Sequence, residues 1–293
     1  MPSLPVLLTV LRELVTAERS PRQPEPDLVM SDPEKVAAYT RAGREDGVMA
    51  PVYLFNGAQI CDVLRPGDQA IDLGCGPGTQ LAMVARLNPD VRFIGVDLSD
   101  AMLQRAHAHM ADQELTNVAL QQADITDLRF LGNASVDAVF STVALHHLPD
   151  IEALDRAFAE VGRVLKPGGG LYLLDFGHLK SERSIQYFAH QYSDRQPELF
   201  TLDYLYSLQA AFQLSDFKVA AARHLAGRGQ VHATFLMPYM IAVKSHRRAG
   251  KVPTPTKTEL VSLRDALPRH HRVDLQDLRT FFRMGGLASP LLN

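Results

Sequence analysis

Apolar positions along the chain change period in a way that marks out its elements. Leu4 to Val15 is apolar but broken by Arg12 and Glu13, which predicts an amphipathic helix over 4–18. Pro21, Pro24, Pro26 and Pro33 stand among charges in 20–33, the composition of a linker. Helical patterns follow at 33–43 and 48–64, the second carrying Val52, Leu54, Phe55, Ile60 and Val63. After Pro66-Gly67 short apolar runs alternate with helical stretches. Strands are expected at 69–73, 92–97, 118–122, 136–142 and 171–176, and later at Phe217–Arg223 and Thr234–Val243. Ile151, Leu154, Phe158, Val161 and Leu165 step by 3, 4, 3 and 4, one face of a helix with Asp150 as its N-cap. Helices are expected at 181–192 and 197–213 within a long insertion, and at Thr258–Ala266 and Asp274–Arg283 in the tail. Repeated strand–helix–strand units imply an α/β architecture, a mostly parallel, doubly wound sheet covered on both faces.

The most informative segment is Asp72-Leu73-Gly74-Cys75-Gly76-Pro77-Gly78, a strand running into three alternating glycines and then a helix. Glycines allow a tight turn and close approach of a ligand to the backbone. In a doubly wound sheet such a loop lies at the carboxyl ends of the strands, where ligands bind. A dinucleotide would set its pyrophosphate against the loop and helix N-terminus. Asp72, two residues before the first glycine, opposes that anion and suits an ammonium or sulfonium group. Asp97 ends the next strand, 19 residues after Gly78, the interval of an acid that accepts from ribose hydroxyls. Asp124 ends the third, placed to accept from an adenine amine while Ile125 packs on the ring.

Composition narrows the field. Of 293 residues 46% are hydrophobic, enough for a large core, and the net charge of -3 supplies no basic field for nucleic acid. Two cysteines, Cys61 and Cys75, cannot form a disulfide framework or a thiolate metal cluster, and their scarcity fits a reducing compartment. No signal peptide and no run of ~18 apolar residues is apparent, so a cytoplasmic protein without a membrane span is expected. No metal is expected either: His107 and His109, at i and i+2, diverge on a helix, and His270-His271 reads as surface.

In these motifs the chain resembles the class I S-adenosylmethionine (SAM)-dependent methyltransferases. The matching pieces are the Asp72–Gly78 loop, Gly95-Val96-Asp97-Leu98-Ser99, Ala123-Asp124-Ile125, Asp137–Ser141 with Ala144-Leu145-His146-His147-Leu148, and Val164–Gly169. They occur in the family's order over roughly residues 60–245, closest to the subgroup that methylates small molecules. The resemblance implies a seven-stranded Rossmann-like sheet with SAM as cofactor. Asp72 and the backbone of Gly74, Cys75, Gly76 and Gly78 would hold the methionine part. Asp97 would take the ribose hydroxyls, Leu98 and Met102 would flank the adenine, Asp124 and Ile125 would complete its pocket, and Ser141 would line the methionine side. Residues 1–64 would form a helical lid, with Tyr39 reaching the substrate. Residues 65–245 would be the SAM-binding domain with its helical insertion at 177–216, and 246–293 a helical tail that packs on the core or mediates a homodimer.

Methyl transfer from a sulfonium is an in-line displacement, so the protein must align the acceptor and exclude water, adding a base only where the acceptor must lose a proton. His146 and His147, beyond the fourth strand, are the candidate catalytic pair, with packing and capping as their other reading. His178, Tyr187, His190, Tyr204 and Tyr206 lie in the insertion expected to cover a small-molecule substrate. No Asn/Asp-Pro-Pro-Tyr follows the fourth strand, where Ser141-Thr142-Val143-Ala144 stands, which disfavours methylation of nucleic-acid bases. A non-catalytic SAM binder and a nicotinamide-dependent oxidoreductase remain the alternatives.

Overall fold

The computed structural model describes residues 4–17, 19–26, 34, 37 and 47–292. Its helices, in chain order, are α1 (Leu4–Val15), α2 (Ala50–Val63), α3 (Thr79–Leu87), α4 (Asp100–Asp112), α5 (Ile151–Val164), α6 (Glu182–His190), α7 (Glu198–Ala210), α8 (Leu214–His224), α9 (Thr254–Ala266) and α10 (Arg269–Met284). The strands are β1 (Gln69–Leu73), β2 (Arg92–Asp97), β3 (Val118–Gln122), β4 (Val136–Thr142), β5 (Leu165–Phe176), β6 (Gly229–Ala233) and β7 (Met240–Ser245). They form one sheet in the order β3-β2-β1-β4-β5-β7-β6. β7 runs antiparallel to both neighbours and the other pairings are parallel. The order reverses between β1 and β4, so a crevice opens at their carboxyl ends.

Period-two burial builds a core on each face. Ile71, Leu73, Leu171 and Leu173 turn to one side with Leu154, Phe158 and Phe217, while Ala70, Tyr172 and Leu174 turn to the other with Leu54, Phe55 and Phe93. The sheet is thus covered on both faces, as its near-continuous apolar strands require. The glycines Gly168–Gly170 are absorbed into β5. Val136 pairs with Leu165 and Ala138 with Gly170, a register shift that takes up the extra residues as a bulge.

Four expectations need correction. Phe217–Arg223 is not a strand but part of α8. Phe217, Ala220 and Ala221 are buried at helical spacing, and Gln213 with Asp216 forms a reciprocal capping box at its start. Thr234–Val243 is not one strand either. A turn closed by Thr234 Oγ1 on the Met237 carbonyl (2.6 Å) separates β6 from β7. Pro238 lacks the N–H a ladder needs. The segment 48–64 is mostly core: 12 of the 14 residues of α2 are buried, and its Asn56 Oδ1 accepts from Tyr172 Oη at 2.9 Å beneath the sheet, while Val48, Met49, Pro51 and Val52 at its start line a cavity. A helix apolar on all sides is a core helix. The described part of the Pro-rich stretch is no solvated linker. Residues 19–26 run as a strap against the insertion: Ser20 N donates to the Lys180 carbonyl (2.9 Å) and Gln23 N to that of Gln209 (3.0 Å). The helix expected at 33–43, with Tyr39, lies outside the described residues apart from Glu34 and Ala37.

The tail packs on the core. Phe282 of α10 stacks on Phe55 of α2 with ring centroids 5.1 Å apart, and Gln59 Nε2 donates to Ser289 Oγ at 2.8 Å. His271, expected at the surface, is buried.

Candidate functional site

β1 delivers the glycine loop to the crevice. Gly74, Gly76 and Gly78 all take positive φ, which glycine adopts without steric cost. A Cβ on Gly74 would stand 2.5 Å from that of Ala144, so this loop and the segment after β4 approach as closely as backbone allows. Gly74 N and Cys75 N both donate to the Val96 carbonyl, and Gly76 N donates to Asp97 Oδ2 at 2.8 Å. Asp97 Oδ1 accepts from Ser99 N at 2.9 Å. A carboxylate has about four lone-pair sites, so Asp97 keeps acceptor capacity toward the cleft.

That cleft encloses about 200 Å³ and is lined by Gly74, Gly76, Asp97, Leu98, Met102, Asp124, Ile125, Ala144 and His147 among others. Asp124 sits at its outer end, its Oδ1 accepting from Thr126 N at 2.8 Å. Asp72 lies beneath the loop rather than on the cleft wall. It is buried, and its Oδ1 has no hydrogen-bond partner. Burial, with the charge of Asp97 nearby, pushes its carboxyl well above the carboxylate range. Burial likewise raises Asp97, against the pull of the backbone N–H groups of Ser99, Gly76 and Leu98 and of the nearby His147. Two desolvated carboxyls make a site that a cationic ligand would relieve. Glycine backbone, acid at the ribose distance, apolar side chains and an orphaned buried oxygen together fit a SAM-like ligand.

Three of the remaining cofactor candidates support the cleft from behind. Cys75 is buried beside Asp72, and burial and the two carboxylates push its thiol well up. Gly78 is the left-handed N-cap of α3. Ser141 Oγ donates to the Leu73 carbonyl at 2.6 Å, pinning β4 to β1.

The histidine pair divides into two tasks. His146 is buried, and its Nδ1 lies 2.7 Å from Asp175 Oδ1. The other oxygen of Asp175 accepts the backbone N–H groups of Ala144 (3.0 Å), Leu145 (2.5 Å) and His146 (3.1 Å). Asp175 therefore shapes the segment that carries both histidines. His147 faces the cleft, and its Nδ1 pairs with Glu25 Oε2 at 2.6 Å. Burial alone would lower His147, but the hydrogen bond and charge of Glu25 raise it to about 9. Glu25 in turn falls to about 2, because His147, His146 and Ser207 outweigh the cost of its burial. Arg22 fastens this strap. Its guanidinium donates to the carbonyls of His146 (3.1 Å), Leu148 (2.5 Å), Pro149 (2.7 Å) and Ala210 (2.7 Å).

A second, larger cavity of about 360 Å³ has Phe176 in its wall. The ring of Phe176 stands 5.4 Å from that of His146 and 5.3 Å from that of Tyr204. Tyr187 and Tyr204 line this chamber. His178, His190 and Tyr206 line neither cavity. His178 Nε2 bonds the Ser20 carbonyl at 2.6 Å and holds the strap, and His190 is exposed on α6, bonded to Gln186 O.

Sequence reasoning did not find Glu25, Asp175 or the chamber. Asp175 carries a signal in retrospect: it is a fourth acid at the carboxyl end of a strand, inside Leu173-Leu174-Asp175-Phe176. Glu25 carries none, since it stands in an aperiodic Pro-rich stretch.

Residues 70–169 match the family model described as "Methyltransferase domain". Among curated relatives, the chain is 38% identical over 115 residues to the 27-O-demethylrifamycin SV methyltransferase of Amycolatopsis mediterranei, covering 39% of this chain and 40% of that one. It is 40% identical over 107 residues to the trans-aconitate 2-methyltransferase of Deinococcus radiodurans, covering 36% and 37%. The chain thus matches well under half the length of these relatives. A SAM-dependent methyltransferase from Aquifex aeolicus shares the fold at 18% identity and a TM-score of 0.51, over 73% of this chain and 98% of that one.

Proposed function

We propose that the protein, whose residues 70–169 match the model of a methyltransferase domain, is a class I methyltransferase that transfers a methyl group from SAM to a small-molecule acceptor. The observation that carries the reading is a pair of cavities, a cleft with His147 in its wall and a chamber whose wall residue Phe176 stands 5.4 Å from His146. One has the lining of a nucleoside site and the other that of an acceptor chamber.

Asp97 would receive the ribose hydroxyls, and Leu98, Met102 and Ile125 would hold the adenine, with Asp124 at its edge. Asp72, below the loop, would face the cationic methionine end. When bound there, SAM supplies a methyl group carried on a positively charged sulfur. His147 is the group placed to accept a proton from an acceptor hydroxyl or amine, and Glu25 orients its ring and stabilises the imidazolium. A base that titrates at about 9 is matched to a phenol or an amine rather than to an aliphatic alcohol. His146 is a positioning residue: Asp175 fixes it, and its ring, 4.2 Å from that of His147, backs the base. Arg22 ties the strap to the carbonyls of His146, Leu148 and Pro149, which holds Glu25 against His147.

Among the described residues no helix is long and apolar enough to cross a membrane. Both cysteines are free and buried, which supports a reducing, cytoplasmic setting.

The test is to incubate the protein with SAM carrying a labelled methyl group and a panel of phenols and amines. Label is expected in solvent-extractable small molecules, and exchange of His147 for Gln is expected to lower its rate by about 10²-fold. Retained SAM with label in no fraction, or in macromolecules alone, would overturn the proposal.

A further inference from the structure

Side chains of adjacent residues on a turn normally point apart, yet His146 and His147 converge. Asp175 brings this about. Its Oδ2 gathers the N–H groups of Ala144, Leu145 and His146 into the single turn Leu145–His147, and the two rings end with centroids 4.2 Å apart. Glu25 descends from the strap onto both. Its Oε1 lies 3.6 Å from His146 Nε2, and its Oε2 lies 2.6 Å from His147 Nδ1. Two imidazoles and a carboxylate thus offer ligand atoms that all lie within 4.8 Å of one another. No spacing along the chain announces such a trio, since one member comes from the strap.

The surroundings orient the trio for coordination. A carboxylate only accepts, so His146 Nδ1, 2.7 Å from Asp175 Oδ1, carries the ring proton, and Nε2 keeps its lone pair on the side of Glu25. An imidazole held through its other nitrogen by a carboxylate, itself anchored by backbone N–H groups, has the support that fixes a metal-bound histidine. Ser207 Oγ donates to Glu25 Oε1 at 2.8 Å and steadies the third ligand. Bonds of about 2.1 Å in tetrahedral geometry set donors about 3.4 Å apart. The Glu25–His146 separation already fits, and the Glu25–His147 contact has to widen by roughly 0.8 Å. The cation of Arg22 stands nearby but is turned to the carbonyls of His146, Leu148 and Pro149, while Glu25 and Asp175 face the rings.

We propose that Glu25, His146 and His147 bind a divalent transition metal of the zinc class. Two imidazole donors favour such a metal over magnesium or calcium, which take oxygen. On binding, the metal takes the place of the proton on Nδ1 of the His147 imidazolium. That proton leaves to solvent, and the ring keeps the one on Nε2. Nε2 is then a donor and cannot accept. The metal therefore ties the strap to the turn after β4 and switches off His147 as a base. This last consequence rests on the proposed function, and the site itself does not.

The experiment is a calorimetric titration of zinc chloride into the full chain, freed of metal beforehand with a chelator. One zinc per chain is expected, and excess magnesium chloride is expected not to compete. His146→Gln, His147→Gln and Glu25→Gln are each expected to weaken binding by about tenfold or more. His190→Gln, at an exposed position on α6, is expected to leave it unchanged. Zinc-edge X-ray absorption of the loaded parent needs no variant, and it is expected to show two imidazoles and no sulfur. No saturable heat, an affinity unmoved by all three substitutions, or a sulfur-containing shell would overturn the proposal. Labelled-methyl transfer in the same samples separates the two levels, with a rate expected to fall in step with zinc occupancy. Zinc bound at the trio with the rate unchanged sinks His147 as the base and leaves the metal site standing. Methyl transfer in a protein that binds no zinc sinks the metal site alone.

Discussion

Exchanging Glu25 for Gln removes one charge from a buried ion pair and leaves its atoms in place. The carboxylate raises His147 from 6.5 to about 9. That difference corresponds to on the order of 3 kcal/mol. A third of the His147 side chain faces solvent, and screening there reduces the worth of the pair to about 1–2 kcal/mol. The pH dependence has a definite sign. A histidine raised in the folded state contributes fully below its unfolded value, and the contribution is lost as pH rises through about 9. The Glu25 carboxyl, lowered from 4.5 to about 2, contributes above 4.5 and loses its share as pH falls through about 2. The pair is therefore at full strength between about 4.5 and 6.5. Urea unfolding at pH 6 is expected to show E25Q less stable than the parent by about 1–2 kcal/mol, and at pH 10 the two curves should nearly coincide. An equal deficit at both pH values would refute the reasoning, because a packing defect does not titrate.

The same pair makes a kinetic prediction. If neutral His147 takes the proton, the rate of methyl transfer should rise with pH toward about 9, and E25Q should shift that limb to lower pH; a rate falling over this range would place the proton the other way. Gly74→Ala puts a Cβ at positive φ and 2.5 Å from Ala144, so it is expected to cost about 1–3 kcal/mol of stability and to abolish SAM binding as measured by calorimetry. Phe282→Ala deletes a fully buried ring stacked on Phe55. A loss of about 3–5 kcal/mol in denaturant unfolding is expected, and a loss under 1 kcal/mol would show that the tail is not part of the core.

The half of the fold that carries the cleft was legible because its signals are local. A strand ending in Asp72, a turn that only glycines can make, and a helix with a clear apolar stripe all lie within about twenty residues. Asp97 and Asp124 follow at intervals fixed by the crossover helices. The far edge was harder. Val219 faces solvent on α8 while Ala220 and Ala221 are buried, so the segment Phe217–Ala222, apolar but for Lys218, reads as a strand until its capping pair is noticed. α2 carries no amphipathic contrast, and only its burial beneath α10 separates a core helix from a lid. The chamber and the Glu25–His147 pair were invisible for another reason. Their parts come from positions 25, 147, 176, 204, 239 and 277, and no spacing along the chain encodes a contact of that range.

The central claim is that the carboxylates at the strand tips and the glycine turn bind one cationic nucleoside. Calorimetric titration of SAM into the parent protein and into Asp97→Asn tests it most directly. Saturable one-to-one binding in the parent, weakened at least tenfold by loss of a charge-assisted acceptor, is the predicted result. No heat at millimolar SAM, or an affinity indifferent to Asp97, would contradict it.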